Sequence, residues 1–169
     1  QGFTLMYGFN HHEAIRSYKE AARLDPTCGI CWWGVALSLG PNINLEMQKE
    51  AIPEAWQAVQ EAQRLKSNET PRERAYIDAV ATRYSESGEG RAALDQAYAN
   101  AMATLVAAYP DDLDAAALYA ESLMDLSPWD YYLPDGSAKP GTVIALAQIE
   151  RVIKANPQHP GALHFYIHA

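Results

Sequence analysis

Three prolines, Pro26, Pro110 and Pro157, each close an Ala- and aliphatic-rich segment and precede another by about three residues. Around the first of them stand Ala14-Ile15, Tyr18 and Ala21, then Trp32, Val35-Ala36 and Leu39. Apolar residues three and four apart mark amphipathic helices, and proline, with its fixed φ and missing N–H, ends one helix before the next begins. Five segments share this grammar, so the chain is constrained to successive helix pairs. No segment shows the strict alternation of a half-buried strand.

Pro and Gly clusters mark nine helical stretches at about 1–8, 11–24, 27–39, 49–66, 71–85, 90–108, 111–126, 142–155 and 159–169. Asn10 with Glu13 and Thr70 with Glu73 have capping-box spacing, Pro71 suits a first helical position, and Thr142 after Gly141 reads as an N-cap. With 49% hydrophobic and 20% charged positions, the chain has enough apolar material for one cooperative domain spanning 1–169.

The closest match to this grammar is a helix–turn–helix unit of about 34 residues, W-x2-L-G-x2-Y, then A-x3-F, then P. Trp32, Val35, Ala36 and Leu39 match its first helix, and Ala14, Tyr18, Ala21 and Pro26 its second. Ile77, Val80, Ala81 and Tyr84, and again Tyr119, Ala120 and Leu123, give weaker first helices, while Ala145, Ile149 and Pro157 recover a second. The chain thus resembles the tetratricopeptide repeat over nearly its whole length. It departs in two insertions, Gly40-Pro41-Asn42-Ile43-Asn44 and Ser127 to Pro140, and in lacking a closing proline near Lys66. Gly8-Phe9-Asn10-His11, Cys31-Trp32-Trp33-Gly34, Leu39-Gly40-Pro41-Asn42-Ile43-Asn44, Asp125-Leu126-Ser127-Pro128-Trp129-Asp130 and His159-Pro160-Gly161…His164…Ile167-His168 are similar to a bacterial subfamily of such proteins. That resemblance implies export to the periplasm or cell exterior, further helices beyond Ala169, and no agreed activity.

The resemblance also implies an all-α, right-handed superhelical solenoid of antiparallel helix pairs, with the first helix of each pair lining a concave groove. Mapped residue by residue, the groove positions are Phe3, Met6 and Tyr7, then Trp33 and Leu37, then Asp78 and Thr82. Ala117, Glu121, Met124 and Asp125 follow, and His164 and His168 come last. The expected groove runs from aromatic to acidic to histidine-bearing. Trp33, Asp78, Glu121, Asp125, Trp129, His164 and His168 are the expected ligand contacts, and the ligand is a peptide, a protein segment or a small molecule. No catalytic residue is assigned.

Two further function classes stay open. His164 and His168, four apart on a helix, put both imidazoles on one face, a geometry in which two histidines share a metal ion. Glu121 has a groove position on the preceding first helix, and His11 would join if the solenoid curved enough. A transition-metal site on His164, His168, Glu121 and His11 is therefore an alternative to plain hydrogen bonding within the helix stack, with no other cofactor expected. Alternatively, apolar helix faces at the two ends would stack head to tail into a homo-oligomer.

The net charge of −8 and pI near 5.0 argue against duplex DNA and anionic membranes as partners, because binding phosphates requires clustered Lys and Arg. No apolar run approaches the roughly 18 residues of a membrane span. Cys28-Gly29-Ile30-Cys31 has redox-motif spacing but no preceding strand, so close packing explains it, with a local disulfide left open. Asp111-Asp112-Leu113-Asp114 lacks the Gly and distal Glu of a calcium loop and reads as carboxylates at a helix N-terminus. The aromatic run Trp129 to Tyr132 in the second insertion reads equally as a lid or as a plug between helix pairs.

Overall fold

The computed structural model describes all residues 1–169, and they form nine α-helices. These are α1 (Gly2–Tyr7), α2 (His11–Leu24), α3 (Gly29–Leu39), α4 (Ile52–Leu65), α5 (Pro71–Ala81), α6 (Arg91–Ala108), α7 (Leu113–Met124), α8 (Pro140–Ala155) and α9 (Pro160–His168). Short 3-10 turns at Lys49–Ala51 and Lys66–Asn68 flank α4. The only β pairings are isolated bridges, Asn42 with Leu45 and Tyr132 with Ala138, one in each insertion. No helix is long and apolar enough to cross a membrane.

The helix starts show which local signals act. Thr70 and Glu73 form the full capping box ahead of Pro71. Asn10 precedes α2 without a side-chain cap, because Glu13 is taken up by Arg16 at 2.8 Å. Thr142 caps nothing. Helix α8 begins two residues earlier at Pro140, and the Thr142 hydroxyl, buried, donates instead to the Tyr131 carbonyl at 2.7 Å. Cys28 and Cys31 are joined as a disulfide with their Cα atoms 5.4 Å apart, and the Cys28 sulfur accepts the Cys31 N–H at the start of α3.

Each helix packs on the next in the chain, and α3 also meets α5 while α7 meets α9. Alanines make these approaches close: Ala14, Ala36, Ala58, Ala62, Ala116 and Ala145 are all fully buried. Gly34 serves the same end, since a Cβ there would run into the Tyr18 ring. One continuous apolar cluster draws on all nine helices. A simple row of pairs would leave its first and last helices apart, yet α1 packs against α9. Gly161 lies under the Tyr7 ring, the Tyr7 hydroxyl donates to Asp114 on α7 at 2.9 Å, and His159 meets the same carboxylate at 3.1 Å. Much of the face mapped onto an open groove is consequently inside the core. Met6, Tyr7, Leu37, Ala117 and Met124 are all buried, because residue spacing gives a helix its inward face but not the curvature of the stack.

Candidate functional site

A cavity of about 1090 Å³ opens where the first insertion, the loop after α5, the start of α6 and the end of α7 come together. Local sequence shapes each wall. Gly40 ends α3 in an extended conformation, and Asn42 and Leu45 then pair backbone to backbone to turn the chain. Opposite them, Gly88 and Gly90 take positive φ, a region glycine enters without steric cost, and so fold the segment after α5 back into α6. The lining carries five carboxylates, Glu46, Glu86, Glu89, Asp95 and Asp125, against the cations Lys49 and Arg91, so the cavity is acidic.

Beneath it lies a buried charge cluster. The Arg83 guanidinium, 2% exposed, donates to Asp125 at 2.6 Å and to the Pro41 carbonyl at 3.0 Å, lies 3.7 Å from Asp95, and stacks over the Tyr98 ring. Arg91 Nε in turn donates to both carboxylate oxygens of Asp95 at 3.0 Å. Burial and then the charge of Asp125 push the Glu121 carboxyl up to about 8. Burial raises Asp125 too, against the pull of Arg83. A guanidinium with almost no access to water needs an ionised partner at hydrogen-bond distance, which assigns the charge to Asp125 and the proton to Glu121. The cluster then balances: Arg83 and Arg91 against Asp95 and Asp125. One valence remains open, because Asp125, part of the cavity wall, has an Oδ1 without any hydrogen-bond partner.

A second constellation adjoins the cavity. His164 and His168 face each other with Nε2 atoms 3.0 Å apart, and His164 Nδ1 meets the Tyr7 carbonyl at 2.5 Å. Phe9 stacks on His168 and on His11 at ring separations of 5.8 and 5.6 Å, and Trp129 stands edge-on to His168 at 5.3 Å. Asn42 links the two regions, since it lines the cavity and lies 3.4 Å from His11 Nε2. Burial, then the charge of His12, lowers the His11 pKa, and His11 Nδ1 is enclosed without a partner.

The expected contact residues therefore separate into groups. His164, His168 and Trp129 come together, with His11 reached through Phe9. Glu121 and Asp125 belong to the charge cluster, and no three His, Cys, Asp or Glu side chains converge in a metal-binding group. Trp33 is buried edge-on between Phe3 and Tyr76, in the walls of two smaller cavities of about 550 and 270 Å³. Asp78 is at the surface, where Lys66 and Gln63 bind it. Within the second insertion the roles divide: Tyr131 is buried as a plug, while Trp129 stays 61% exposed.

Arg83, Arg91 and Asp95 were not anticipated. An arginine between the apolar positions Val80 and Tyr84, just past the end of α5, was the available signal, since such a charge must be buried with a partner. No family model matches this chain, and neither a curated protein nor a solved structure matches it.

Proposed function

We propose that this chain is a tetratricopeptide-type binding module that takes a peptide or small ligand bearing a cationic group into the acidic cavity. The single observation carrying this reading is the excess of carboxylates in the cavity lining, where Glu46, Glu86, Glu89, Asp95 and Asp125 face only Lys49 and Arg91. An ammonium or guanidinium entering the cavity donates to these carboxylates, and such charge-assisted bonds are about twice as strong as neutral ones. Glu46, Glu86 and Glu89, exposed in the same lining, attract the cation before contact. Helices that pack on their sequence neighbours, with first helices also meeting one another, support the helical-repeat reading. The ligand reaches the cavity walls rather than a long concave groove, because the groove face is occupied by the core.

The test is fluorescence anisotropy with a labelled Arg-Gly repeat peptide and an Asp-Gly counterpart. The basic peptide binds, more weakly as salt rises, and the acidic one does not. Replacing exposed Glu86 and Glu89 together with Lys weakens binding roughly tenfold or more. Equal binding of both peptides, or indifference to the charge reversal, overturns the reading.

A further inference from the structure

The histidine cluster is built more deliberately than packing alone requires. Only two non-glycine residues in the chain have positive φ, Phe9 at 55° and Trp129 at 63°, and both are aromatic. The left-handed region is costly for such side chains, and residues kept there concentrate at sites whose surroundings over-determine them. These two come from separate loops, one after α1 and one in the second insertion, and hold the same ring, His168, one by stacking and one by its edge.

His164 is oriented as well. A backbone carbonyl only accepts, so the contact with Tyr7 puts the His164 proton on Nδ1 and leaves the Nε2 lone pair of the neutral ring facing His168. That is the arrangement by which an outer hydrogen bond fixes the tautomer and orientation of a ligating imidazole. In the metal-free protein His168 Nε2–H donates into this lone pair.

We propose that His164 and His168 chelate a Cu(II)-type ion between their Nε2 atoms, with Phe9 and Trp129 fixing the second ring. The distance carries it. Metal–nitrogen bonds of about 2.0–2.1 Å spanning nitrogens 3.0 Å apart enclose an angle of about 91–97°. That is within reach of adjacent positions of a tetragonal ion. Imidazole suits Cu(II), which is also the strongest binder of the divalent first-row series. Both rings are half-exposed, so water completes the coordination. On binding, the His168 proton shifts from Nε2 to Nδ1, both rings remain neutral, and no electron is transferred. Neither Glu121 nor His11 takes part.

The experiment is a Cu(II) titration of the full chain, free of any affinity tag, followed by electron paramagnetic resonance and calorimetry. One ion per chain binds, with hyperfine splitting from two imidazole nitrogens. H164Q and H168Q each weaken binding by about tenfold or more, while H12Q, which lies outside the cluster, changes nothing. Should H164Q fail to fold for want of its bond to Tyr7, H168Q alone decides. Copper binding to H168Q as tightly as to the unaltered chain, or no equimolar binding at all, overturns the proposal.

Discussion

Arg83 is the residue on which the charge cluster turns, and its partners lie 42 residues away on either side, at Pro41 and Asp125. The spacing of Glu121 and Asp125 was legible in the sequence as one helix face. Their burial was not, because it depends on a guanidinium from the turn after α5 and on Asp95 from α6. With the proton on Glu121, stability acquires a pH dependence of definite sign. The folded-state pKa of Glu121 lies above its unfolded value, so the folded state holds more protons between about 4.5 and 8. The stability it contributes is complete below about pH 4.5 and is lost as the pH rises through 8. Urea unfolding at intervals from pH 4.5 to 8.5 should show a decline on the order of a few kcal/mol, and E121Q should flatten it. A slope unchanged in E121Q would place the proton elsewhere.

Among the elements, existence and order were readable, since nine periodic segments correspond to nine helices, whereas their ends followed competing local bonds. Glu13 bonds Arg16 rather than closing a capping box, and Thr142 serves Tyr131 rather than α8. The disulfide at the start of α3 illustrates the same limit. Spacing brings Cys28 and Cys31 within reach but does not choose between two packed thiols and a bond. Closing a loop of only four residues restricts the unfolded chain little, worth about 2 kcal/mol. Replacing both cysteines with serine should therefore lower the denaturation free energy by about that amount and leave the helical circular dichroism unchanged. Loss of helical signal would mean that the bond organises α3 rather than merely tethering it.

At the scale of the whole molecule, the meeting of α1 and α9 decides what the helices enclose. A mapped groove became a core because residues that face inward on separate helices touch once the stack curls far enough, and no single repeat encodes that curvature. Gly161 is a point at which the contact leaves no room for a side chain. G161A would raise intrinsic helix preference, but its Cβ collides with the Tyr7 ring, so a net loss of about 1–3 kcal/mol is expected. G141A, on α8 with nothing within 4 Å of the added atom, should be neutral or slightly stabilising by thermal melting. Equal effects at the two positions would remove the α1–α9 contact as a structural constraint. That contact also bears on how the chain reaches its native state. Stacked repeats can assemble from any point outward, each step rewarded by the neighbour just formed. Here Tyr7 and His164 meet across 157 residues, a loop whose closure costs entropy before it returns any contact. Closing that loop is expected to slow folding relative to a row of purely local helix pairs and to tie the two ends into one cooperative unit.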